Sequence, residues 1–186
     1  LGFTGTDSEK LDTLWSEIFT LCRLENVADE ETLPKHLERL GHRTKAMNDY
    51  HFKTLHYTCS NGTDLRIDLP KNHLWQGGAE AAKNGTIFDA NIPTEEVFSA
   101  PQYNGVNGIV YSTKPLIYQG NEINEFHFTF ENGKIVDYDA KVGKEHLKHL
   151  IETDEGSAYL GEVALVDHYS PISQSNRVYF ETLYDE

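Results

Sequence analysis

The chain has 186 residues, with 16 Lys and Arg against 30 Asp and Glu, a formal charge of −14 with histidine neutral. Binding a polyanion is driven by counterion release onto Lys and Arg, so this balance argues against nucleic acid as a partner. The longest apolar runs, such as Val163 to Val166, fall far short of the roughly 20 residues that cross a bilayer, which argues against a membrane span.

Hydrophobic residues make up 38% of the chain, and the nine Phe, ten Tyr and two Trp among them carry large buried area per residue. A chain of this length can bury a core of ordinary size. From the amino terminus, Asp7-Ser8 reads as a helix start. Leu11, Leu14, Trp15, Ile18, Phe19 and Cys22 follow at the spacing of a core-facing helix from about 8 to 23. Thr32-Leu33-Pro34 opens a second, weaker amphipathic helix through Leu37, Leu40 and Met47, with Gly41 against it. From Phe52 the period changes to two. Residues 52–59 and 64–69 flank Ser60-Asn61-Gly62-Thr63, a strong hairpin signal. The same device, Glu131-Asn132-Gly133, joins 126–130 to 135–138, and the alternation predicts Phe126, Phe128 and Phe130 on one sheet face with His127 on the other. Further strands are predicted at 109–112, 162–166 and 177–184, and a third helix from about 142 to 152 with Leu147, Leu150 and Ile151 on one face.

Hairpins outnumber helices and no strand–helix alternation occurs, so the predicted class is α+β, mainly antiparallel sheet with about three flanking helices. Residues 1–186 read as a single fragment, and a sub-lobe boundary would fall near 77–85, the most linker-like segment. Cys22 and Cys59 are too few for a disulfide framework and are expected to be free thiols in a reducing compartment. No charged and apolar leader opens the chain, so a cytoplasmic location is expected. The sequence begins Leu1-Gly2-Phe3 and stops in the strand-like run Leu183-Tyr184-Asp185-Glu186, and so reads as a piece of something longer.

Walker, dinucleotide-binding and Gly-x-Ser-x-Gly spacings are absent, which removes the usual motifs of phosphoryl transfer and serine hydrolysis. His146 and His149 stand at i, i+3 on the third predicted helix beside two lysines; a solvated helix face is favoured over a ligand pair. His36, His42, His51, His56, His73 and His168 have no recognisable ligand partner. Two carboxylate positions are more informative. In Asn91-Ile92-Pro93-Thr94-Glu95-Glu96-Val97-Phe98 two glutamates follow a Pro-Thr turn, and the bland reading is a first helical turn capped by Thr94. In Gly161-Glu162-Val163-Ala164-Leu165-Val166 a glutamate heads a run apolar enough for a buried strand, where a carboxylate needs a cation, a donor or a metal. Two such carboxylates about 4 Å apart would repel by about 4 kcal/mol at an effective dielectric near 20, a sign that a divalent ion reverses. The residues themselves point no further than an acidic metal site.

At these same stretches, together with Gly62-Thr63-Asp64-Leu65, Leu69-Pro70, Trp75, Thr113-Lys114-Pro115-Leu116, Asp154-Glu155-Gly156 and Asn176 to Glu186, the sequence resembles the metal-dependent aminopeptidase family of aminopeptidase T, AmpS and PepS, and is PepS-like within it. The matches run in the family's order from about residue 50 onward. The resemblance implies a two-metal enzyme that removes the N-terminal amino acid of a peptide with a free N-terminus, using zinc, cobalt or manganese, as a homodimer. It implies that Glu96 is a metal ligand, that Glu162 is a second ligand that bridges the ions or acts as base, and that Glu186 is a third ligand. The family's remaining His, Tyr, His and Asp follow just after this last stretch. The chain ends before them, so it is expected to be inactive alone. The competing readings are a non-enzymatic antiparallel β module that binds a ligand or partner, and a metal enzyme of another class built on His146 and His149.

Overall fold

A computed structural model describes residues 2–24 and 32–185. Along the chain run helix α1 (Asp7–Leu21), α2 (Thr32–Tyr50), strands β1 (Thr54–Thr58), β2 (Asp64–Asp68), β3 (Glu80–Ala81), β4 (Ile87–Phe88), β5 (Glu96–Ser99), β6 (Val106–Tyr111), β7 (Leu116–Tyr118), β8 (Asn121–Glu131) and β9 (Lys134–Val142), helix α3 (Lys144–Ile151), strand β10 (Val163–Val166), and the short helices α4 (Pro171–Ser175) and α5 (Thr182–Asp185). The class is α+β with antiparallel sheet dominant, as the hairpin signals imply. The chain divides into two compact units, one drawn from Leu1–Asp49, Trp75–Phe98 and Ala164–Glu186, the other from Tyr50–Leu74 and Ser99–Val163.

The second unit is the sheet. Its order is β1-β2-β6-β8-β7, with β9 also pairing β8. Both Asn-Gly turns close hairpins as expected, β1 with β2 and β8 with β9, in antiparallel register. Asn132 and Gly133 have φ of 50° and 87°, the pair of positive values that a two-residue turn needs to match strand twist. Gly133 is required twice over, because a Cβ there would lie 1.9 Å from the Tyr103 carbonyl oxygen. Phe126, Phe128 and Phe130 follow one another with ring centroids 5.5 and 6.1 Å apart. Phe126 and Phe128 pack on a core of Ile123, Leu147, Ile151 and Ala158, so α3 buries its apolar side on the sheet. His127 instead approaches Tyr111.

In the first unit α1 begins one residue earlier than Asp7-Ser8 suggests. Thr6 is the cap: its hydroxyl accepts the Glu9 amide while the Glu9 carboxylate accepts the Thr6 amide, a reciprocal capping box. The apolar stripe is only partly buried. Leu21 and Cys22 are covered, whereas Leu11, Trp15 and Phe19 remain 53, 50 and 43% exposed, which corrects the expectation of a wholly core-facing helix. The helix ends in a Schellman motif: Leu24 donates to the Phe19 carbonyl at 2.7 Å and Arg23 to that of Thr20 at 3.0 Å. Helix α2 runs through Gly41 without a break and buries His36 and Leu40. The run 177–184 is not a strand. The amides of Tyr179 and Glu181 are taken by the Asp185 carboxylate, which closes the segment on itself before α5. Helix α4 was not anticipated, although Ser170 before Pro171 carries its signal: the Ser170 hydroxyl accepts the Ser173 amide and the proline sits in the first turn. Cys22 is buried and Cys59 exposed, and both are free. Among the described residues no helix is long and apolar enough to cross a membrane.

Candidate metal centre

Strand β5 organises the first unit's most unusual chemistry. Phe98 exchanges backbone hydrogen bonds of 2.8 and 2.9 Å with Gln76, and β5 pairs with β10, so residues 96–99 are committed to sheet. The helical turn capped by Thr94 therefore does not form. The fit is close. A Cβ on Gly77, at φ 153°, would lie 2.6 Å from the Glu96 carbonyl oxygen, so only glycine lets the neighbouring chain approach there.

Side chains alternate along this strand. Glu95, Val97 and Ser99 are buried, while Glu96 and Phe98 are half-buried. A glutamate that is 4% exposed needs a partner, and Glu95 has one: Arg23 donates from Nε at 2.8 Å and from Nη2 at 3.0 Å to its two carboxylate oxygens. His36, 5% exposed, donates from Nε2 to the Thr94 carbonyl at 2.7 Å and stands 3.6 Å from Glu95. Burial lowers the His36 pKa from its usual value, outweighing the hydrogen bond to Thr94 and the Glu95 charge that favour the proton. The imidazole is thus neutral near pH 7.

Glu96 opens β5 on the face away from this network, and Glu162 stands one residue before β10. Strand β5 pairs with β10, which starts just after Glu162; Glu96 belongs to the first unit and Glu162 to the second. Glu162 is exposed, so the desolvation argument for a partner does not apply to it; the apolar run starts only at Val163, which is buried. Glu186 lies outside the described residues. His146 and His149 are both exposed on α3, on either side of buried Leu147, as a solvated helix face requires. Among the other histidines, His56 stands 2.7 Å from the Asp64 carboxylate and His73 donates from Nδ1 to the Pro70 carbonyl at 2.8 Å.

Carboxylates at 96 and 162 are hard oxygen donors, which suits a divalent cation in kind. They fall short in number, because among the described residues no group of three or more His, Cys, Asp or Glu is placed to hold a metal ion. The sequence had singled out Glu96 and Glu162. It had not shown Arg23, His36 or the role of Glu95, and only the doubled glutamate hinted that one of the two is structural.

Comparison with known proteins adds the context these residues lack. The family model of the thermophilic metalloproteases (M29) matches residues 3–186. The chain is 49% identical over 181 residues to aminopeptidase AmpS of Bacillus subtilis (strain 168), covering 97% of this chain and 44% of that protein. It is 39% identical over 180 residues to aminopeptidase T of Thermus aquaticus, again covering 97% of this chain and 44% of the relative. The solved structure of wild-type AmpT from Thermus thermophilus superposes with a TM-score of 0.88 at 39% identity, over 98% of this chain and 45% of that one. The chain therefore spans under half the length of the relatives it matches.

Proposed function

The chain belongs to the thermophilic metalloprotease family M29, and on that premise we propose that it is part of a divalent-metal aminopeptidase that hydrolyses the first peptide bond of substrates with a free N-terminus. The observation that carries this reading to particular residues is the unequal pair at the start of β5. Glu95 is engaged by Arg23 on the buried side, and Glu96 lies on the half-buried side. Glu96 and Glu162 are assigned as metal ligands, and a Glu162 carboxylate oxygen as the acceptor of the proton that the attacking water gives up. Glu186 is assigned as a third ligand. When bound, divalent ions would lower the pKa of that water and polarise the scissile carbonyl. The chain's formal charge of −14 suits attraction of a substrate's α-ammonium group.

The finer assignments rest on the family resemblance: zinc, cobalt or manganese as the metal, two ions per site, a homodimer, and a cytoplasmic location with which two free thiols agree. The 186 residues alone are assigned as inactive, because among the described residues no group of three or more His, Cys, Asp or Glu is placed to hold a metal ion. The test is kinetic. In the complete enzyme, Glu162→Gln and Glu96→Gln are each expected to lower kcat for an aminoacyl anilide by at least about a hundredfold, the upper end of what even lost outer-shell partners cost. Unchanged hydrolysis by Glu162→Gln would remove the role assigned to it, and robust turnover by the 186-residue chain would remove the assignment of inactivity.

A further inference from the structure

Two adjacent glutamates in a strand point to opposite faces, and a slip of one residue would exchange them. Which of Glu95 and Glu96 faces outward is therefore a matter of register. Strand β5 is short, four residues, with its backbone paired to Gln76 and to β10. Three further features bear on its register. Arg23 grips both oxygens of Glu95, at 2.8 and 3.0 Å, on the buried face. His36 holds the Thr94 carbonyl at 2.7 Å, one residue earlier. The third lies in the backbone of Arg23 itself. It occupies the left-handed position that closes the Schellman motif of α1, at φ 57°, where glycine is the usual residue and a side chain is strained. Local backbone preference does not explain an arginine there. Its fork-shaped guanidinium, which fits a carboxylate at two points, does.

We propose that Arg23 is a positioning residue that, by locking Glu95 onto the buried side immediately before β5, commits Glu96 to the metal-facing side. This rests on the reading of Glu96 as a metal ligand. Arg23 touches neither metal nor substrate in this scheme; it acts through the strand, with His36 in support. The aligned pair adds a side-chain constraint to the backbone pairing of β5.

The test uses the complete enzyme and three variants. Arg23→Gly keeps the helix end, which glycine favours, and removes the guanidinium. Arg23→Lys keeps the charge without the two-point fork. Arg23→Gly/Glu95→Met removes both charges and leaves an apolar residue to occupy the buried face. Zinc affinity of the apo form, kcat and KM for an aminoacyl anilide, and amide hydrogen exchange over residues 93–99 are measured for each. For Arg23→Gly, zinc affinity and kcat are each expected to fall by at least about tenfold, the lower end of what lost supporting partners cost, with KM little changed and exchange over 93–99 accelerated. Arg23→Lys falls between, and the double variant recovers most of both quantities. Wild-type zinc affinity and kcat in Arg23→Gly would overturn the proposal, as would a double variant no better than the single one. Glu96→Gln measured in parallel separates the two claims. If it binds zinc normally, the ligand reading fails on its own, while the exchange pattern of Arg23→Gly reports independently whether Arg23 sets the register.

Discussion

Glu95 and Glu96 are consecutive residues in different environments: Glu95 is 4% exposed and ion-paired at two points to Arg23, whereas Glu96, the first residue of β5, is half-buried. The two ends of that ion pair are not equivalent. The Arg23 side chain is 19% exposed and the Glu95 side chain 4%. Removing the arginine strands a carboxylate away from water, while removing the glutamate leaves a guanidinium that can still reach solvent. Arg23→Met is therefore expected to destabilise the chain by about 3–5 kcal/mol, Glu95→Met by less, and the double variant by less than the sum. Urea unfolding of the four proteins measures this cycle. Additive losses would show that the pair carries no coupling.

The two glycines at Gly133 and Gly41 should respond in opposite directions to alanine. At Gly133 the backbone is left-handed and a Cβ would collide with the Tyr103 carbonyl oxygen, so Gly133→Ala is expected to cost about 2 kcal/mol or more. At Gly41, in the interior of α2, a Cβ meets nothing within 4 Å, and Gly41→Ala is expected to gain about 0.5–1 kcal/mol. With about 2–4 °C of melting temperature per kcal/mol at this size, thermal unfolding resolves both. The same sign for the two changes would contradict the assigned backbone geometry.

His36 makes stability depend on pH in a defined window. Burial lowers its pKa in the folded chain from the usual 6.5, so the unfolded chain takes up the proton first as pH falls. The contribution is fully present above pH 6.5 and is lost progressively below it, down to the lowered folded value. The urea midpoint should hence fall between about pH 7.5 and 5.5 in the natural chain and fall less in His36→Asn. The lowered carboxylates, Glu9, Asp139, Asp154 and Asp167, act at more acid pH and do not blur this interval. A midpoint that rises on acidification in this range would reverse the assignment of His36 as neutral.

The two thiols report on the fold directly. Cys59 is exposed in the first hairpin turn, whereas Cys22 is 6% exposed beside the Tyr184 hydroxyl, 3.6 Å away. Alkylation of the native chain should label Cys59 and reach Cys22 only after unfolding; equal labelling rates would show that the end of α1 is not packed as described.

Both hairpins were legible in the sequence because Asn-Gly at positions 61–62 and 132–133 carries its own backbone requirement, one that no distant residue needs to supply. The existence of α1 was legible from its 3.6-residue period, but the period says nothing of what lies opposite, so exposure of Trp15 and Phe19 was not. The segment 177–184 alternated like a strand and was not one, since a single carboxylate, Asp185, satisfied the amides that a sheet would have used. At the candidate site the carboxylates themselves were visible as residue types. The division of labour between Glu95 and Glu96 was not, because it depends on an arginine 72 positions away in sequence, held in a backbone conformation that sequence rules assign to glycine.

The most direct measurement is a calorimetric titration of the complete protein with Zn²⁺ and Co²⁺ beside its Glu96→Gln/Glu162→Gln variant. Expected is binding by the natural protein that the variant loses or weakens by more than about tenfold, since even partners outside the ligand set cost that much. Equal affinity and stoichiometry in the two proteins would contradict the assignment of these glutamates to the metal centre.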